Sequence, residues 1–149
     1  MKIQRSIELE KQTTHAAEAI GWFRGKTKSG TVFDFTTDLS LYKGDPEANF
    51  SGFIKALPEE FEGNGAIFSF PPAEKDGTHR IAWPKDLVDF NGWNWGYNDS
   101  NDPEGGQLAS TGVLNITFSR GQTAASGDVV FYSKSGETIL EAKFELQQK

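Results

Sequence analysis

Leu114-Asn115-Ile116-Thr117-Phe118-Ser119 is the stretch that decides the fold class. Apolar and polar residues alternate at a period of two, the pattern of a strand with one buried face and one wet face. Leu140, Ala142, Phe144 and Leu146 alternate with Glu141, Lys143 and Glu145 in the same way, and Val129-Val130-Phe131-Tyr132 forms a short apolar run between the two. Ser133-Lys134-Ser135-Gly136 reads as a tight turn, and Arg120 to Gly127 as a longer loop. Three strands at this spacing predict an antiparallel meander.

Working towards the N-terminus, the strand signal continues. Val32, Phe33 and Phe35 follow the turn Lys28-Ser29-Gly30, and Phe50 to Leu57 carries Phe50, Phe53, Ile54 and Leu57. Ala66-Ile67-Phe68-Ser69-Phe70 and His79-Arg80-Ile81-Ala82-Trp83 bracket a linker whose Asp76-Gly77 pair is a turn signal. Ile3, Ile7 and Leu9 suit a further strand, while Lys11 to Ala19 is readable as a short helix or as irregular chain. Short strands separated by glycine-rich turns predict an all-β fold, an antiparallel β-sandwich with room for one short N-terminal helix. Residues 1–149 read as a single domain, with no internal repeat and no linker of biased composition.

Composition narrows the function classes. Twelve phenylalanines against one methionine predict a core of rigid rings, as β-rich proteins favour. A net charge of −6 disfavours generic binding to nucleic acid or anionic lipid, because both depend on cationic neutralisation of phosphate. The absence of cysteine excludes disulfides, thiolate metal sites and thiol chemistry. Met1 to Lys11 lacks the apolar core of a signal peptide, so the expectation is a cytoplasmic protein or one released without such a peptide.

Phe90-Asn91-Gly92-Trp93-Asn94-Trp95-Gly96-Tyr97-Asn98-Asp99, running on to Gly106, is the strongest functional candidate. It holds two of the four tryptophans and shows neither helical nor strand periodicity. Long irregular segments in compact domains are usually functional or disordered, and three large aromatics argue against disorder. Trp93, Trp95 and Tyr97 are the expected anchors of a contact surface, because such rings pair a flat apolar face with a polar tip. Asn94, Asn98 and Asp99 would orient a ligand, with Trp83 as support beneath. The alternative is that the rings turn inward as a lid on the sandwich. Trp93 and Trp95 are two apart, and an extended chain would put them on one face under either reading.

Other constellations are weaker. Asp99, Asn101, Asp102 and Glu104 have the oxygen-rich character of a calcium loop without EF-hand spacing, so no metal or other cofactor is expected. Trp22-Phe23-Arg24-Gly25-Lys26-Thr27-Lys28 would place Trp22, Arg24, Lys26 and Lys28 on one face of a strand. That stripe resembles a single-strand nucleic-acid platform, but overall acidity makes a solvated basic face the better reading. His15 and His79 are the only histidines. Neither they nor Glu59, Glu60 and Glu62 sit in a catalytic motif, so no enzyme activity is expected.

Gly65-Ala66-Ile67-Phe68-Ser69-Phe70, Asp76-Gly77-Thr78, Trp83-Pro84 and Asn91-Gly92-Trp93 together resemble the central region of the aegerolysins. Trp22 with Gly25-Lys26, and Gly112 to Thr117, are similar to that family's early Trp-Gly-Lys and closing strand. The family's Trp-x-x-Pro-Trp segment has no counterpart, since Pro84 follows Trp83 directly. The resemblance implies a small acidic β-sandwich that binds particular membrane lipids, with a protein partner completing a pore.

These readings converge on a non-enzymatic binding module for a membrane lipid headgroup or a glycan, in the manner of a cytolysin component. The alternative is a structural or assembly protein, phage-type for example, whose loop and strand edges form contacts with a partner or within a homo-oligomer. No nucleic acid is expected as a partner.

Overall fold

The structure, a computed structural model, describes residues 17–57, 63–72 and 74–149. Eleven strands run in chain order: β1 (Glu18–Thr27), β2 (Val32–Phe35), β3 (Leu39–Tyr42), β4 (Gly52–Ala56), β5 (Gly65–Phe70), β6 (Gly77–Trp83), β7 (Gly96–Asn98), β8 (Gly106–Leu108), β9 (Thr111–Ser119), β10 (Ala124–Tyr132) and β11 (Thr138–Gln148). All named pairings are antiparallel and join into one strongly curled sheet of order β6-β9-β10-β11-β1-β3-β4-β5-β7-β8, with β2 also paired to β1. The all-β antiparallel class read from the sequence is therefore the observed one.

The predicted meander is β9-β10-β11. Leu114, Ile116 and Phe118 point into the core while Asn115, Thr117 and Ser119 are exposed. β10 begins at Ala124, so the connection from β9 is shorter than the loop expected from Arg120 to Gly127. Arg120, Gly121 and Gln122 turn tightly with positive φ, and the Asp76 carboxylate accepts the N–H groups of Gly121 and Gln122 at 2.9 and 3.0 Å. Gly127 then passes so close to β9 that a Cβ would lie 1.9 Å from the Asn115 carbonyl oxygen. A glycine there hid the strand from a search for side-chain alternation.

Pairing of β1 with β11, from Ala19↔Gln148 to Thr27↔Leu140, joins the two ends of the described chain. Curling brings β5 across from β10, β11 and β1, with Phe68 at the centre. Its ring lies 6.3 Å from Phe131, 5.6 Å from Phe144 and 6.2 Å from Phe23. Each such ring contributes roughly 1.5–3 kcal/mol by leaving water. β4 is buried on both faces: Ile54 and Ala56 face this core, and Phe53 and Leu57 join Ile67 and Trp93 in a second, smaller one.

Ile3 to Leu9, and most of the ambiguous span Lys11 to Ala19, lie outside the described residues, but Glu18 and Ala19 open β1. The segment from Phe90 to Gly106, read as irregular, is not so throughout: β7 lies inside it and β8 starts at its end, while one turn of 3-10 helix (Lys85–Leu87) precedes it. β7 is buried at every position, so no polar alternation announces it.

Candidate functional site

Ser69 of β5 organises the aromatic segment. Its hydroxyl donates to the Trp93 carbonyl at 2.8 Å, and its own carbonyl accepts the Trp95 indole N–H at 3.0 Å. The chain bends across this residue, so the two rings enter different cores rather than sharing a face. Trp93, 3 % exposed, packs edge-on against Phe53. Trp95, fully buried, lies against Phe68 and Phe131 and stacks on Trp83. Of the two alternatives left open by the sequence, the rings take the inward one.

Tyr97 is also fully buried. Its hydroxyl accepts a long hydrogen bond from the Gln107 amide at 3.4 Å. Burial pushes its pKa up to about 12; the Gln107 bond opposes the rise, and the Asp102, Asp99 and Glu137 charges add to it. Asn98 and Asp99 are buried too, and of the polar residues expected to orient a ligand only Asn94 is exposed. Trp83 is half-buried, its indole N–H donating to the Ala109 carbonyl at 3.2 Å.

Asp99 is a structural tie. Its carboxylate accepts the hydroxyls of Thr27 and Thr31, each at 2.6 Å, and the Asn101 N–H at 2.9 Å. Burial alone would raise its pKa, but the three hydrogen bonds outweigh that and hold the carboxyl below its ordinary value. With both oxygens so used, it has little left for a cation. Asp102 accepts the Glu104 N–H through one oxygen and leaves the other buried without a protein partner. Among the described residues no three acidic, histidine or cysteine side chains converge into a metal site. His79 lies 3.1 Å from the Glu74 carboxylate and against the Lys75 carbonyl; His15, Glu59, Glu60 and Glu62 lie outside the described residues.

Among the described residues, two recesses are lined by tryptophans singled out from sequence. One, of about 210 Å³, lies under the 83–94 segment between Ser51, Ser69, Trp83, Phe90 and Asn94. The other is a groove of about 430 Å³ on the wet face of the sheet. On this face β1 turns Trp22, which lines the groove, and beyond it Arg24 and Lys26 outward, while Phe23 enters the core. Arg24 covers the Trp22 ring with its guanidinium 5.0 Å from the centroid and pairs with Asp34 at 3.1 Å. Across the register Trp22 faces Glu145, Arg24 faces Lys143 and Lys26 faces Glu141. Cations and carboxylates therefore interleave, which is unlike a phosphate-tracking stripe.

Beside Trp22 the groove is walled by Glu145, Arg120, Ser126 and Thr117, with Ile20 at its rim. From the sequence Trp22 stood out as part of a basic stripe and in the resemblance to the aegerolysins, not as the floor of a groove. The other wall residues come from β9, β10, β11 and the turn after β9, so only strand pairing could assemble them.

No family model matches this chain, and neither a curated protein nor a solved structure matches it.

Proposed function

We propose that the protein is a non-enzymatic binding module for an uncharged polyol ring, carried by a glycan or by a sugar-bearing lipid headgroup. The observation that carries this reading is the make-up of the Trp22 groove. A half-exposed indole stands beside one carboxylate (Glu145), one guanidinium (Arg120) and the hydroxyls of Ser126 and Thr117. A sugar ring needs a flat apolar surface for its C–H face and both donors and acceptors for its hydroxyls. The two wall charges cancel, so the groove favours neither an anionic nor a cationic ligand. Trp22, with the part of its ring that Arg24 leaves uncovered, takes the platform role first assigned to Trp93, Trp95 and Tyr97, whose faces are committed to the core.

A printed array of neutral and acidic glycans, run beside liposomes with and without a neutral glycolipid, tests this. Neutral glycans or glycolipid should retain the protein and Trp22→Ala should abolish retention. Binding confined to liposomes would select the headgroup source. Retention on acidic glycans alone, or retention unaffected by Trp22→Ala, would overturn the assignment.

A second reading, a structural or assembly protein, draws on Ile20 and Val32, which are 52 % and 70 % exposed. Under that reading light scattering finds a fixed oligomer that Ile20→Ser or Val32→Ser dissociates.

A further inference from the structure

Two residues beyond Trp22 along β1, the same wet face carries a second recess of about 440 Å³. Gly25 and Ala142 lie at its floor. Arg24, Lys143 and Asp128 form one row of its lining, Lys26, Glu141 and Val130 the next. The two recesses adjoin through Trp22 and Arg24, whose side chains touch. On β11 the shared boundary runs from Glu145 to Lys143, on β10 from Ser126 to Asp128.

We infer that the ligand is an uncharged oligosaccharide laid along the strands, one ring on Trp22 and its continuation in the recess between Arg24, Lys143, Asp128 and Val130. This rests on the sugar-binding reading of the Trp22 groove and extends it to a substrate class. Three arguments support it. Successive outward residues on a strand are about 6.6 Å apart, so the path from Trp22 to Lys26 is roughly 13 Å, longer than one pyranose ring. The second recess has no aromatic ring but repeats the mixture of donors and acceptors, with Val130 as apolar surface, Lys143 as donor and Asp128 and Glu141 as acceptors. Charge is again balanced once Asp34 is counted against Arg24, which suits a neutral chain and not a polyanion.

The geometry also limits how much the second recess reshapes on binding. Asp128 is held by the Asn115 amide at 3.0 Å, and Arg24 is held between Asp34 and the Trp22 ring. Side chains ordered before binding lose less entropy when a ligand arrives.

Calorimetric titration with glucose, maltotriose and maltopentaose, and with the cello- and manno-series of the same lengths, tests the inference on the intact protein. In one series the dissociation constant should fall at least tenfold from one residue to three. Lys143→Ala and Asp128→Ala, both on the wet face, should remove that length dependence and leave monosaccharide affinity within twofold; Trp22→Ala should remove binding at every length. Equal affinity across a series that depends on Trp22 would overturn the oligosaccharide inference alone. Absence of binding in all three series, or binding indifferent to Trp22, would overturn both readings.

Discussion

The indole rings of Trp83 and Trp95 stack 5.8 Å apart with 14° between their planes. Each N–H is tied to a different backbone carbonyl, Ala109 for Trp83 and Ser69 for Trp95. The pair clamps the end of β6 and the following segment onto β5. Trp95→Ala should cost about 3–5 kcal/mol, the usual range for an emptied aromatic site, and half-buried Trp83→Ala distinctly less. Urea unfolding of the two variants checks the order, and equal losses would contradict it.

Acrylamide quenching of tryptophan fluorescence should separate the rings by position. Trp93 and Trp95 should be protected, and Trp22→Ala should remove much of the quenchable signal. Trp22→Ala should also leave stability nearly intact, within about 1 kcal/mol, since its ring faces the solvent side of the sheet.

Asp99→Asn places an amide where both oxygens of a carboxylate accept hydrogen bonds. At least one of the donors from Thr27, Thr31 and Asn101 then loses its acceptor, at a cost of about 1–3 kcal/mol. Hydrogen exchange should accelerate first in residues 99–105. Because the folded pKa lies below the unfolded value, the wild-type stabilisation is present above about pH 4 and is lost as pH falls through the folded value. Acid unfolding of Asp99→Asn should therefore be shallower than that of the wild type.

Tyr97 gives the opposite limb of the pH profile. Its folded pKa of about 12 exceeds the ordinary tyrosine value of 10.0, so its contribution is complete below pH 10 and declines as pH rises to 12. Tyr97→Phe should flatten the alkaline loss of stability between those limits, and an unchanged alkaline profile would show that another group governs it.

Glycine positions offer a paired test. Alanine at Gly127 would bring its Cβ to 1.9 Å from the Asn115 carbonyl, whereas alanine at Gly136 meets nothing within 4 Å. Gly136→Ala should cost only the left-handed backbone penalty of about 1–2 kcal/mol. Gly127→Ala should cost clearly more, because β9 and β10 must separate. Thermal melts of both variants decide the comparison.

Side-chain alternation made the meander legible. Leu114, Ile116 and Phe118 lie on one face of β9 and leave no other consistent pairing. The same logic failed where a strand has no wet face, as in β7, or where glycine replaces a side chain, as at Gly127. The candidate site was legible only as a set of residue types. Residues 93 to 97 advertise aromatic character, but nothing local reveals that Ser69 sends Trp93 and Trp95 into separate cores. Trp22, Glu145 and Arg120 are scattered through the chain and meet only because β11 lies between β1 and β10.

That same neighbouring of β1 and β11 constrains how the molecule is made. Ala19 has to find Gln148, a pairing that closes a very long loop and places the fold among the slower topologies. While the chain is being synthesised, β1 has an open edge until β11 has left the ribosome. The meander can zip by local contacts, but the sheet becomes continuous only when its earliest described strand meets its latest. Until that pairing forms, the exposed edge of β1 is the most vulnerable surface of the folding chain.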